Sequence, residues 1–522
     1  MKKVKLRVLQ VAALLLLATL PLFALAQDGN ILLYGGNQDI DNIDPATGEN
    51  YSINAALRSL YDALFIYRGN DIEPHLVDSW EVNDDATVWT FKLKDNAVFH
   101  DGSPVNAEAV VYSFNRLLEI NGPPAYRWAT ISDENTAQAL DEYTVQFTLT
   151  EPFAPFIGTL PQLFVVNPAI VEANRGDDYG QAYLKENEAG SGPFTQGRWE
   201  IGNVYEFVAV DDYWAGWKGE SHLDGFLWII QRDAATMKNS LLAGETYVAD
   251  GISGSDIEEI DGTDGFSVEQ NVGFFTNTLK MNTQGEYTSD INVRKAIAYA
   301  MNYDALPEVQ DVGITILPGP TPANFMGYVD GLEVPTYDIE KAKEYLAMSP
   351  WPEGGFTLDY VYVTDFPREE VPGLLLLEGL AELNIELNMT PMLWPDMVAS
   401  CATPETGPDL INIYTLPAYL DPDAHLYNQY HSAQWGSYNS CSFYKNEQVD
   451  SLLDEARVLG DMDKRLELYT EAQTLIAADQ PSVWMYTEDS SLALNQCVKG
   501  YTYSPMYPIT MLFQDLWLDG CP

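Results

Sequence analysis

Phe99-His100-Asp101-Gly102-Ser103-Pro104-Val105 is the stretch on which the reading of this chain turns. Asp101-Gly102-Ser103-Pro104 is a turn: Asp supplies a local acceptor, Gly the free backbone angle, and Pro a fixed φ. His100 reads as a hydrogen-bonding part of that turn rather than as a ligand. Before it, Trp89, Phe91 and Leu93 alternate with polar residues, the period of a half-buried strand. After it, Asn106 caps a helix to Leu118, with Val110, Phe114, Leu117 and Leu118 on one face. Working outward, Tyr143, Val145, Phe147 and Leu149 form another strand. Asp290 and Asp338 each cap a helix, the first with Val293, Ile297 and Ala300 inward, the second with Ala342, Tyr345 and Leu346. Val449, Leu452, Leu453 and Ala456 make one late apolar stripe. Leu466, Tyr469, Ala472 and Ile476 make another, and Pro481 stops it. Strand and helix signals are mixed throughout, without repeats or low-complexity linkers, so the class is α/β with several lobes.

The chain has 522 residues, 46% hydrophobic and 12% aromatic, enough for a sizeable core and too apolar for intrinsic disorder. Its 27 basic residues against 77 acidic ones exclude nucleic acid and anionic membrane as natural partners, because both need a positive surface. Lys2, Lys3, Lys5 and Arg7, the apolar run to Ala26 and the ending Ala24-Leu25-Ala26 have the form of a secretory signal peptide over residues 1–26; no Cys follows to make a lipoprotein site. An uncleaved anchor is the alternative. Cleavage would take the formal charge from −50 to −54 and leave the protein in the periplasm or at the cell surface. Cys401, Cys441, Cys497 and Cys521 fit two disulfides in such a compartment, with three connectivities open and the sequential one as working expectation. No G-x-S-x-G, H-E-x-x-H, P-loop or G-x-G-x-x-G occurs, and His425 and His431 lack partners at metal-ligand spacing. The reading is therefore of a binding protein, not an enzyme, with no catalytic residue, metal or cofactor assigned. A secreted hydrolase is the rival.

An ordered set of segments carries a resemblance. It runs through Ile43-Asp44-Pro45, Tyr61-Asp62-Ala63-Leu64-Phe65, Pro74-His75-Leu76-Val77-Asp78-Ser79-Trp80 and the Phe99–Val105 stretch with Val111-Tyr112-Ser113-Phe114. It continues in Gly190-Ser191-Gly192-Pro193-Phe194, Asp212-Tyr213-Trp214, Asp290-Ile291-Asn292-Val293-Arg294-Lys295-Ala296, Val449-Asp450-Ser451-Leu452-Leu453 and Arg465-Leu466-Glu467-Leu468-Tyr469. Together these resemble the bacterial extracellular solute-binding proteins of family 5, the peptide/nickel class of ABC-importer receptors. The resemblance implies a two-lobed periplasmic-binding-protein fold (type II, cluster C-like) with an extra domain inserted in the first lobe. The expected divisions are residues 27–66, 188–284 and 493–522 for lobe I, 67–187 for the inserted domain and 285–492 for lobe II. Cys497 and Cys521 would then share lobe I, and Cys401 and Cys441 lobe II. Trp80, Trp89 and Phe91 are expected in the core.

The resemblance also implies where a ligand lies. Glu49 and Tyr51, Tyr126 and Trp128, Trp394, and the run Tyr414, Thr415, Ala418 and Tyr419 match segments that line the family's cleft, as do Trp484 and Tyr486. Peptide binders of the family place an Asp three residues before the first acid of an Asp-Pro-Asp-like segment, where it pairs with the ligand's α-ammonium. Here Asp421-Pro422-Asp423 is preceded by Ala418, and Pro417–Leu420 contains no acid. A buried ammonium needs a counter-charge, so another acid, with Glu49 as the candidate, supplies it or the ligand is not a standard peptide. Oligosaccharides, opines and metal chelates, the last through His425 or His431, are the alternatives. The expected partners are a small-molecule or peptide ligand and permease subunits, the protein itself being a monomer.

Overall fold

The structure is a computed structural model that describes residues 30–218, 221–507 and 511–521. The expected signal peptide, residues 1–26, lies outside the described residues. The described chain opens on β1 (Ile31–Gly36), an almost wholly buried strand, and α1 (Tyr51–Leu60), capped by Asn50, whose side chain accepts from Ile53 N. A hairpin of β2 (Phe65–Arg68) and β3 (Asp71–Pro74) follows. Then come β4 (Val77–Val82), β5 (Val88–Leu93), α2 (Ala107–Ile120), β6 (Ala137–Asp141) and β7 (Thr144–Thr148), whose strands form a separate sheet in the order β4-β5-β7-β6. Phe91, Phe147, Phe114 and Trp128 fill the space between that sheet and α2. Trp80, expected inside, is 43% exposed. It sits on the edge strand β4, where one face remains open to water, and its ring meets Phe65 edge-on.

The turn that opened the reading is a tie point. Asp101 Oδ1 accepts from Ser103 N, Gly102 takes φ 84°, and Asn167 Nδ2 donates to Asp101 Oδ2. His100 is bonded on both ring nitrogens, to Glu188 and to the carbonyl of Gly192. The turn thus locks onto the Gly190–Phe194 segment, which leads into β8 (Phe194–Glu200). After β8 come β9 (Val204–Ala209), β10 (Gly225–Ile230) and β11 (Val248–Ala249).

The second half is built on β12 (Phe266–Met281), α3 (Ile291–Ala300), β13 (Ile314–Ile316), α4 (Ile339–Ala347), β14 (Phe356–Val363), α5 (Pro367–Ala381), β15 (Ile385–Met392), α6 (Trp394–Ser400) and β16 (Leu410–Thr415). It ends with α7 (Pro422–Tyr430), α8 (Glu447–Val458), α9 (Met462–Asp479) and β17 (Ser482–Asn495). Asp290 and Asp338 cap α3 and α4. Gln480, at φ 49°, ends α9 just before Pro481.

One 11-stranded sheet joins both halves, in the order β15-β14-β16-β12-β17-β11-β1-β10-β9-β8 with β13 on β17. Parallel pairs occur at both wings (β1 with β10 and β11, β14 with β15 and β16), and an antiparallel β12–β17 pair stands between them. That ribbon is irregular in the middle: Val272 faces Asp489 and Phe275 faces Glu488, so Gly273 and Phe274 are extra. The bulge sends Phe274 into a buried cluster with Tyr67, Phe325 and Tyr507. The cysteines pair as Cys401–Cys441 and Cys497–Cys521.

A Cβ at Gly273 would stand 2.3 Å from the carbonyl oxygen of Glu488. Gly273→Ala should therefore lower stability by about 1–3 kcal/mol, read as a lower urea midpoint at unchanged slope.

Candidate functional site

A cavity of about 680 Å³ lies where the bulged ribbon meets both halves of the chain, within the size range of small-ligand sites. α1 presents Tyr51, Asn54 and Arg58 to it along one helical face, together with the cap Asn50. Opposite them are Phe366 and Glu369 at the start of α5, Trp394 at the start of α6, and the run Tyr414, Leu416, Pro417 and Ala418 after β16. Tyr126 and Arg127 close one side, and Met506 and Tyr507 another.

The aromatic groups are held by contacts of their own. Tyr414 stacks on Phe275 with centroids 4.6 Å apart. Tyr486 OH donates to the carbonyl of Arg368, so the 2.7 Å contact between the two phenols has Tyr414 as donor, a hydroxyl having one proton to give. Trp394 packs edge-on against Tyr438 at 5.2 Å and is 42% exposed; Tyr126 is 55% exposed. These exposed rings give flat apolar area at low side-chain entropy cost.

The charges divide unequally. Glu49 is committed to a two-pronged ion pair with Arg127, at 2.8 and 3.2 Å, while the Arg127 guanidinium lies 4.6 Å from the Tyr126 ring centre. Its charge is already answered, and the expectation of Glu49 as the ammonium's partner gives way to that pairing. Arg58 lies 3.7 Å over the Tyr507 ring, and burial lowers its pKa to about 10. Arg368 is engaged by Glu488 and Asp311. Glu369 has one oxygen on the Val363 N–H at 2.7 Å, and burial pushes its carboxyl up to about 7.

Of the residues singled out in the sequence, Glu49, Tyr51, Tyr126, Trp394, Tyr414 and Ala418 meet at this cavity. Trp128, Thr415, Tyr419, Trp484 and Tyr486 do not line it. Trp128 is fully buried and its Nε1 donates to Thr159; Thr415 bonds Thr276 across β12–β16. Tyr419 donates to Asp423, and Trp484 to Tyr430. Trp128, Thr415 and Tyr419 adjoin lining residues in sequence but turn inward, the alternation that spacing alone cannot phase, and Tyr486 stands behind Tyr414, phenol to phenol. His425 and His431 also lie away from it: His425 is buried beside Gln429 and its pKa falls to about 3, and His431 accepts from Ala433 N. The acids of the Asp-Pro-Asp segment are internal, Asp421 capping α7 and pairing twice with Arg465 at 2.8 and 2.6 Å. Sequence reasoning missed Arg58, Tyr507 and Glu369. Arg58 was reachable as the residue one turn beyond Asn54 on the face of α1.

Residues 71–437 match the family model described as bacterial extracellular solute-binding proteins, family 5 Middle. The chain belongs to this family. It is 28% identical over 507 residues to the probable D,D-dipeptide-binding periplasmic protein of Escherichia coli K12, covering 95% of each. It is 27% identical to heme-binding protein A of Haemophilus influenzae, covering 88% of this chain and 87% of that protein. Among solved structures it is similar to HbpA2 from Haemophilus parasuis (TM-score 0.86, 23% identity, 94% and 100% covered). It is also similar to the periplasmic binding protein DppA of Helicobacter pylori in complex with the peptide STSA (TM-score 0.73, 25% identity, 94% and 98% covered). The fold is the two-lobed type II periplasmic-binding-protein fold of this family.

Two measurements separate lining from core. Trp394→Ala should leave stability within about 0.5 kcal/mol, whereas Trp128→Ala should cost about 3–5 kcal/mol, both read in urea. Glu369 gives a pH signature. Unfolded, its carboxyl titrates near ~4.3; folded, at about 7. The folded state therefore holds the proton to higher pH, and this group's contribution to stability falls as pH rises between those values and is level above them. Glu369→Gln should remove that part of the slope in a pH series of melts.

Proposed function

We propose that the protein is the extracytoplasmic receptor subunit of an ABC importer, which captures a peptide or similarly sized organic solute by closure of its two lobes and hands it to the permease. The observation that carries this reading is the cavity itself, which α1 and the C-terminal segment wall on one side and α5, α6 and the β16 loop on the other, with β12 and β17 running between. A solute there touches both halves only when they are close, so binding shifts the open–closed equilibrium in favour of closure. No bond of the solute is broken. The relatives named as dipeptide-, heme- and peptide-binding agree with a solute of this size.

The lobes are taken as residues 27–66, 188–284 and 493–522 for the first and 285–492 for the second, with 67–187 inserted. The separate β4-β5-β7-β6 sheet supports the inserted unit. The two disulfides each join segments assigned to one lobe, so neither opposes closure. Export through residues 1–26 and action as a monomer complete the reading. Six residues form the proposed ligand surface: Glu49, Tyr51, Tyr126, Trp394, Tyr414 and Ala418.

Mass spectrometry of solute released on denaturing protein purified from its native host should return a peptide or an organic molecule of similar size. Adding that solute back to stripped protein should shrink the small-angle scattering radius of gyration. An unchanged profile at saturation would reject closure.

A further inference from the structure

The cavity holds one acid that the structure leaves without a cation. Glu369 is 2% exposed yet lines the cavity. Its Oε2 accepts from Val363 N, and among the described residues its Oε1 has no hydrogen-bond partner and no Lys, Arg or His within 4 Å. The arginines nearby are engaged elsewhere: Arg127 with Glu49, and Arg368, its neighbour on α5, with Glu488 and Asp311. The backbone carbonyl of Glu369 is also fixed, accepting from Tyr360 OH at 2.6 Å and Asn412 Nδ2 at 3.1 Å. The side chain is thus rigidly placed. Accepting the Val363 N–H uses only one of its oxygens, and a buried carboxylate without a counter-charge is costly.

We propose that Glu369 is the specificity residue that receives a cationic N–H group of the solute at its free oxygen Oε1. The inference rests on the receptor reading above and names the chemistry that this site selects. It also accounts for Ala418: the loop that carries no acid faces a helix that carries one. A peptide brings such a group at its amino terminus or on a basic side chain. The incoming cation completes the charge balance, and a proton held on Glu369 leaves for solvent as it binds. The other groups around this carboxyl are the phenols of Tyr360, Tyr414 and Tyr486, all pushed above the usual tyrosine range by burial, and the Arg368–Glu488 pair. Of these only Glu488 is a second carboxyl, itself raised by burial, and the comparison of wild type with Glu369→Gln separates the two.

The test is calorimetry on the full mature protein with three probes: a mixture of di- and tripeptides with neutral side chains, the same mixture N-acetylated, and N-acetylated peptides that contain lysine. Free-amine peptides should bind, with affinity falling roughly fifteenfold from pH 7 to pH 5.5 as Glu369 takes up its proton. Glu369→Gln should weaken them by roughly ten- to a hundredfold at pH 7 and flatten the pH profile. Binding of the acetylated lysine peptides in place of free-amine ones, with the same dependence on Glu369, would assign the cation to a side chain and still support the site. Equal binding of free-amine and acetylated neutral peptides, or selective binding that Glu369→Gln leaves intact, overturns the assignment while the receptor reading stands. Binding of none of the three sinks the peptide reading and this inference with it. Should the variant fail to fold, Glu369→Asp takes its place: the shorter carboxylate should weaken free-amine peptides and move the midpoint of the pH profile, and an unchanged affinity and midpoint would overturn the assignment.

Discussion

The β12–β17 ribbon is the constraint on which the rest depends. Its two strands, of 16 and 14 residues, carry the hydrogen-bond ladder that makes two parallel-winged halves into one sheet. Their ends belong to opposite wings: β17 pairs with β11 near Leu494, and β12 pairs with β16 from Thr276 onward. Any relative movement of the halves must bend this pair. The bulge at Gly273 and Phe274 is where a regular ladder is already interrupted, and bulges increase local twist and re-aim side chains. Phe275 then stacks on Tyr414 in the cavity while Phe274 anchors the other face. The break in the ladder and the wall of the cavity are therefore placed at adjacent residues.

The acidic surplus takes on a different meaning inside the molecule than outside. Basic residues are scarce, and several are spent on buried pairs: Arg116 with Asp44, Arg465 with Asp421, each bonded through two guanidinium nitrogens. Removing one partner of such a pair leaves an uncompensated buried charge, which makes them fold-defining contacts. Most of the remaining carboxylates stand at the surface, where they repel one another and keep the chain soluble. Near the cavity the basic side chains Arg127 and Arg368 are likewise taken up by other acids, Glu49, Glu488 and Asp311, and neither pairs with Glu369.

The fold was largely legible in the sequence because its signals are local. Asn106, Asp290 and Asp338 are caps wherever they stand, since a short polar side chain at a helix start bonds the next turn. Trp89, Phe91 and Leu93 alternate because β5 has one wet face. The cavity was half legible. Segments could be placed at the cleft, but not the phase within them: Tyr126 faces the cavity and Trp128, two residues on, is core, because the short turn between them rotates the chain. Glu49 was readable as an acid at the cleft, whereas its partner Arg127 is 78 residues away in sequence. Glu369 could not be told from its neighbour Glu370 by pattern; only packing under Tyr360 and Asn412 separates them.

The Cys497–Cys521 bridge closes a segment that contains Met506 and Tyr507, and both residues form part of the cavity wall. Tyr507 OH also accepts from Tyr67 N, 440 residues earlier, and its ring carries Arg58. The bridged segment therefore walls a chamber whose other sides come from far earlier in the sequence. Tied at both ends, that loop has fewer conformations to lose than a free one, and Met506 and Tyr507 keep their places in the wall through a covalent bond as well as through packing.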